Sequence, residues 1–287
     1  MNKSGIGFIT FAQNTDEVDY LKLAYVQALN VKSLHSTFGY AVVVDSETAK
    51  FVTEQHKKVF DYVVELSEEQ SAAPVFANEY HAFRLSPFKE TIKLESDLLF
   101  TRSIEHWLPA FRLKNIVLSH GCKNYKQYPG ASRLHRKFFD DNLLPDVYNG
   151  LMYFRYSIEA QQFFQLAESI LINWEYLKNN VLKNCRENSP STDVLYAITA
   201  QVYGVENCTI PTMDFINFVH MKSHMQNWSE DRIWTDIVNN NFDEGMIRIN
   251  NLNQYHPVHY YDKKFITDEI IDYYERIYRS RIVKSIS

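Results

Sequence analysis

Apolar residues come in two rhythms along the first hundred positions. Short runs rich in β-branched and aromatic side chains, Ile6 to Phe11 (IGFITF), Tyr40 to Val44 (YAVVV) and Tyr62 to Leu66, alternate with longer stretches of helical spacing. The runs read as strands buried on both faces, because such strands lack the polar alternation of a half-wet sheet. Leu21, Ala24, Tyr25, Ala28, Leu29 and Val31 predict a helix reaching about His35, with cap chemistry at Asn14, Thr15 and Asp16. A second helix is predicted from Glu47 to Phe60, a helical stretch from Phe76 to Leu85, and a fourth strand from Thr91 to Leu94. This alternation predicts an α/β fold: a mostly parallel central sheet, helices on both faces, and ligands at the carboxyl ends of the strands.

The rhythm then loosens. A helix is predicted near Ile104 to Phe111, strands at Ile116 to Ser119 and Val147 to Phe154, and helices at Ile158 to Ile172 and about Thr192 to Val202. The segment His120 to Lys137 is turn-rich and reads as a surface excursion. Beyond Asn207 the chain is aromatic and irregular until a closing helix near Asp268 to Arg279. No repeat, low-complexity segment or Gly/Ser linker divides it, so one domain with an elaborated C-terminal half is the simplest organisation.

Composition sharpens this in three places. Phe and Tyr number 19 each, enough for large cores or for flat surfaces that stack on sugars or bases. Cys122, Cys185 and Cys208 are odd in number and widely spaced, form no zinc pattern, and follow no leader-like start, which predicts a reducing cytoplasm. No apolar run reaches the length of a membrane span. The net charge of −5 disfavours nucleic acid on average. The average hides an asymmetry: His106 to Phe139 has no Asp or Glu and carries Arg112, Lys114, Lys123, Lys126, Arg133, Arg136 and Lys137, with Tyr125 and Tyr128 among them.

Glycine-rich phosphate loops of the dinucleotide and P-loop kinds are missing, as is the serine-nucleophile elbow. What stands out is Glu95-Ser96-Asp97 at the end of the fourth predicted strand. Two carboxylates there are costly to desolvate unless a cation compensates them, and oxygen ligands suit Mg²⁺ or Mn²⁺ bridging two phosphates. A solvated turn with two incidental acids fits the same spacing.

The segment resembles the DxD motif of GT-A fold glycosyltransferases, with Glu in place of the first Asp. Arg84 to Thr91 (RLSPFKET) is similar to the lead-in to that motif in family 8 enzymes, and Tyr20 to Leu34 to their first helix. Asn149 to Phe154 (NGLMYF) resembles the strand lining the donor sugar, without its Ser. His220 to Trp228 (HMKSHMQNW) keeps the outer His and Trp of the HxxGxxKPW signature but lacks its Gly, Lys and Pro. The resemblance implies a nucleotide-binding half at 1–100 and a donor-sugar and acceptor half at 101–287. It implies a UDP-sugar donor and Mn²⁺ or Mg²⁺ as cofactor. Asp97 and His220 would ligate the metal, and Glu95 would contact metal or ribose. Thr10, Phe11, Gln13 and Ser96 would hold base and ribose, and Arg84 and Lys222 would offset phosphate charge. Asn149 and Asp193 would reach the sugar, although Asp193 also suits a plain helix cap. His224, His256 and His259 are rival third ligands.

For the acceptor, seven cations without an acid can pair with phosphates, and the interleaved Tyr125 and Tyr128 can stack on an extruded base. Size, composition and the tail Gln254 to Lys263 resemble DNA-modifying glycosyltransferases of tailed phages. That implies a hydroxymethylated pyrimidine, 5-hydroxymethylcytosine in DNA, as acceptor in a host cytoplasm. A cell-surface glycan or protein acceptor is the rival, and a nucleotide-sugar- or DNA-binding protein without catalysis is the alternative of another class.

Overall fold

The computed structural model describes residues 3–67, 70, 75–130, 137–210, 213, 216–229 and 232–286, without the side chains of 75–77 and 282–286. Strands β1 (Ile6–Phe11), β2 (Gly39–Val44), β3 (Tyr62–Glu65), β4 (Glu90–Leu94), β6 (Ile116–His120) and β7 (Val147–Arg155) form a six-stranded sheet in the order β3-β2-β1-β4-β7-β6. The first four in that order run parallel, and β7 is antiparallel to both of its neighbours. The expected α/β architecture with a mostly parallel sheet is the one observed. Successive residues of each strand feed opposite cores, as strand geometry requires. Phe8, Tyr40, Val42, Ile92 and Tyr153 enter one cluster with helix α1 (Tyr20–Leu34). Ile9, Ala41, Val43, Met152 and Phe154 enter the other with residues of α3 (Ile158–Ile172) and α4 (Thr192–Tyr203).

The helix expected from Glu47 to Phe60 is instead two pieces, Ser46–Ala49 and α2 (Glu54–Val59). The cause is a second start signal: Thr53 accepts from the His56 N–H while its own N–H donates to His56 Nδ1 at 3.0 Å, a capping box that begins a new helix. The stretch near Phe76 to Leu85 is a 3₁₀ segment, Val75–His81, followed by one α turn.

The C-terminal portion holds most of what periodicity did not show. Strands β9 (Asn240–Asp243), β10 (Met246–Ile249) and β11 (Leu252–Asn253) make a small antiparallel sheet. Two-residue strands β5 (Leu98–Leu99), β8 (Val219–His220) and β12 (Val258–His259) make another, with β12 at its centre. The closing helix α5 (Asp268–Ile286) packs on α1, where Tyr25 Oη donates to Glu275 at 2.9 Å. Among the described residues no helix is long and apolar enough to cross a membrane.

Candidate active site

The chain leaves β4 at Leu94 and enters β5 at Leu98, and Glu95-Ser96-Asp97 fills the gap. Helix α1 fixes that turn through amides buried on its sheet-facing side. Gln27 Nε2 donates to the carbonyls of Glu95 (2.6 Å) and Leu98 (2.7 Å). Asn30 exchanges two bonds of 2.8 Å with the Phe100 backbone. The Glu95 N–H donates to Gly150 O at 3.2 Å. A side chain at Gly150 is excluded, because its Cβ would lie 2.8 Å from the Phe218 ring.

The small sheet supplies the rest. Register places His259 opposite Leu98 on one side and His220 on the other. The Tyr260 N–H donates to Asp97 O at 3.1 Å, which locks β12 onto the acidic turn. His259 Nε2 consequently sits 2.9 Å from Asp97 Oδ1 and 3.3 Å from Glu95 Oε2. Lys263 Nζ contacts Asp97 Oδ2. The His220 ring stacks on His259 at 4.3 Å between centroids.

Electrostatics follow from burial and these contacts. Burial, with Asp97 nearby, pushes Glu95 up to about 7. Burial acts the same way on Asp97, but His259 and Lys263 override it and hold that carboxyl well below its ordinary range. His259 and Lys263 are raised in return, against burial, by the two acids. Burial and the His259 charge drive His220 well below its ordinary value, so it is neutral. The site thus concentrates two acids against cations supplied by the protein itself.

Ligand atoms of Glu95, Asp97 and His259 all lie within 4.8 Å of one another. Two carboxylate oxygens and one imidazole nitrogen at such separations suit Mn²⁺ or Mg²⁺. Lys263 and His259 lie against Asp97 where a divalent cation otherwise would, and with its proton displaced the His259 nitrogen becomes a ligand, so the residues present fit the ion.

A cleft of about 970 Å³ opens over this triangle. Of the residues expected there, Phe11, Gln13, Glu95, Ser96, Asp97, Asp193, His220 and Lys222 line it. Asn149 sits beneath, bonded to Lys93 and Glu79, with its backbone N–H donating to Asp193 Oδ1 at 2.6 Å. Ser191, not Asp193, caps α4, which leaves the Asp193 carboxylate in the cleft wall. Thr10 is buried behind the site, where its hydroxyl donates to Leu94 O at 2.9 Å. Arg84 is not brought to the cleft: it pairs with Glu168 on α3 at 2.7 Å, over half exposed. As third ligand the geometry presents His259, while His220 backs it. His224 lines the cleft wall, and His256 bonds Gln127 at 2.7 Å.

Several participants had no signal in the sequence. Lys93 is 0% exposed in mid-strand, paired with Glu79 at 2.5 Å and with Asn149 Oδ1 at 2.6 Å. Charge buried that deeply survives only when fully bonded. Lys263 is equally unforeseen. Only the HPVHYYDK run, with its two histidines ahead of a lysine, could have pointed to the His259 side of the site.

The basic segment does not form one free face. Arg112 holds Glu90 through two bonds of 2.8 and 3.0 Å, and Lys114 Nζ donates to Glu206 O. Lys123 and Tyr125 are buried, because the segment's backbone pairs with β8: Lys123 N–H donates to Phe218 O and its carbonyl accepts from His220 N–H. Arg133 and Arg136 lie outside the described residues. Lys126, Tyr128 and Lys137 are exposed.

Solved glycosyltransferases share this fold. The glycosyltransferase GlyE of Streptococcus pneumoniae TIGR4 aligns with a TM-score of 0.57 at 10% identity, over 99% of this chain and 64% of that one. This chain therefore spans 64% of GlyE's length. The galactosyltransferase LgtC, solved with donor and acceptor sugar analogs, aligns with a TM-score of 0.54 at 10% identity, over 96% of this chain and 95% of that one. At such identity the likeness establishes the fold. No family model matches the chain, and no curated protein matches it in sequence.

Proposed function

We propose that this chain is a metal-dependent glycosyltransferase that moves a sugar from a nucleotide diphosphate, taken to be UDP, to a hydroxyl acceptor. The observation that carries the reading is the triangle of Glu95, Asp97 and His259 at the carboxyl end of β4, under a cleft large enough for a nucleotide sugar. The fold shared with GlyE, and with LgtC holding donor and acceptor sugar analogs, supports it.

Glu95, Asp97 and His259 would hold the cation, which when bound neutralises the diphosphate oxygens and makes the diphosphate a better leaving group. The chain's own residues do the rest. Phe11 and Gln13 at the end of β1 offer a ring and an amide to base and ribose. Gln13 is oriented from behind by Asn78, whose Nδ2 donates to its Oε1 at 3.1 Å. Lys222, Lys263 and Lys264 line the cleft and would set positive charge where negative charge grows as the sugar departs. Asp193 and Glu79 also line the cleft and would face the sugar, and Lys93 and Asn149 hold Glu79 in place.

Of the residues that suggested a hydroxymethylated pyrimidine in DNA as acceptor, Lys126, Tyr128 and Lys137 are exposed, which leaves DNA as the rival to a saccharide acceptor. Binding of UDP by isothermal titration, with manganese and with chelator, tests the proposal. UDP affinity and UDP-sugar hydrolysis should both require the metal. Asp97→Asn should lower hydrolysis roughly a thousandfold, the scale of several kcal/mol of lost charge stabilisation. Metal-independent binding and hydrolysis, or wild-type rates in Asp97→Asn, would overturn it.

A further inference from the structure

A second depression, of about 470 Å³, lies beside the donor cleft. That volume is within the roughly 300–1,000 Å³ that small-molecule sites occupy. Tyr125, Asn227, Trp228, Arg232, Val238 and Asn250 line it, brought from three parts of the chain. Arg232 lines the donor cleft as well, so the two spaces share a wall.

The depression is built, not incidental. The half-buried Trp228 ring rests on Tyr125 at 5.8 Å between centroids, tilted by 34°. Tyr125 is anchored in turn: its N–H donates to Gln226 Oε1 at 3.1 Å, and its carbonyl accepts from Gln254 Nε2 at 3.0 Å. Asn250 Nδ2 donates to the Tyr125 hydroxyl at 3.4 Å, and Asn250 Oδ1 accepts from the Asn239 N–H at 3.1 Å. Asn227 and Asn250 both hold left-handed backbone, with φ of 61° and 46°. Asn227 does so as the C-cap of the Ser223–Gln226 turn and Asn250, with Asn251, as the hairpin turn between β10 and β11, so both amides are set by the backbone.

Among the described residues the lining has a braced aromatic plane, neutral amides able to donate and accept, and one guanidinium. This is the chemistry that grips a pyranose: C–H faces on the ring, hydroxyls on the amides. A nucleic-acid strand would also stack on Trp228, but it needs its phosphates met along the way. Here Arg232 is the single cation of the lining, and Arg112 and Lys114 are engaged elsewhere.

We propose that the depression formed by Trp228, Asn227, Asn250 and Arg232 is an acceptor subsite for a saccharide, next to the donor cleft. The inference rests on the glycosyltransferase reading and deepens it. The test is retention of labelled protein, in the presence of manganese and UDP, on an array of oligosaccharides and on duplex DNA containing 5-hydroxymethylcytosine. Wild type should be retained on a set of saccharides. Trp228→Ala should reduce that retention about tenfold and Trp228→Phe should restore part of it, with UDP affinity unchanged in both. Asn227→Gly, which removes the amide and accommodates the positive φ, should lower retention if Trp228→Ala does not fold. Retention on no saccharide, or retention indifferent to both positions, overturns the subsite. Retention on the hydroxymethylated duplex that is lost in Trp228→Ala overturns the saccharide in favour of nucleic acid. Loss of metal-dependent UDP binding in wild type would instead sink the underlying function.

Discussion

The two sides of the triangle of Glu95, Asp97 and His259 are built in opposite ways. Glu95 and Asp97 end a parallel strand whose neighbours are buried on both faces, and Gln27, Asn30 and Gly150 hold their backbone. His259 and Lys263 come from a two-residue strand and a short 3₁₀ turn, and the backbone bond to Asp97 O is what carries them to the acids. The first side is rigid because the core of the sheet is; the second is placed by a few contacts. The difference shows how such a site can keep its acids fixed while the residues around substrate vary, since loops tolerate change that sheet cores do not.

The largest effect should appear where the two sides meet. If His259 is the nitrogen ligand and His220 its packing partner, the two alanine substitutions separate cleanly. His259→Ala should weaken manganese binding by more than 100-fold. His220→Ala should cost less, about 10- to 100-fold, the range for residues that only orient a ligand. Manganese titration calorimetry measures both. Equal losses, or a larger loss at His220, would return the third-ligand role to His220 and break the picture of β12 as the metal-bearing strand.

This is also where legibility in the sequence stops. The strands Ile6–Phe11 and Gly39–Val44, the helix Ile158–Ile172 and the paired acids could be read because a run, a helical period or a strand-end position betrayed each one. His259 could be read only as one of several rival ligands. A two-residue strand has no period, and the acids it meets lie some 160 residues away, so only tertiary pairing singles it out. Lys93 reads as an ordinary strand residue until Glu79 and Asn149 are seen around it. Arg84 looked like a phosphate ligand because its flanking segment matched a motif; the turn that carries it points instead to Glu168. The described cations of the basic segment are partly engaged elsewhere for a related reason. Absence of acids nearby in sequence does not keep Glu90 or a backbone carbonyl from being nearby in space.

A middle-sized effect probes the rigid side. Gln27→Met keeps the volume of the side chain but removes the donor shared by the Glu95 and Leu98 carbonyls, and strands the Tyr40 hydroxyl that donates to Gln27 Oε1 at 2.8 Å. Buried groups left without partners cost about 1–3 kcal/mol each. A loss of about 2–4 kcal/mol is therefore expected in denaturant unfolding, with manganese affinity down several-fold because the turn bearing Glu95 loosens. Full stability in this variant would mean that the acids are positioned by the sheet alone.

The smallest effect tests whether the N-terminal part of the chain can lose stability without touching the site. Thr53 is exposed and far from the cleft lining, and its role is the capping box that splits the expected helix in two. In Thr53→Ala the His56 N–H loses its side-chain acceptor, and the break between the helical pieces loses what specified it. Caps of this kind contribute about 1 kcal/mol, so the midpoint of chemical unfolding should fall by that much while manganese and UDP affinities stay at wild-type values. The sign carries the argument. A stabilised Thr53→Ala would mean that one continuous helix is the better structure here and that the capping box is held in place by its surroundings. A loss of metal affinity would mean that this part does not behave as a scaffold separable from the site it carries, and the contrast between a rigid side and a loosely placed side would no longer hold.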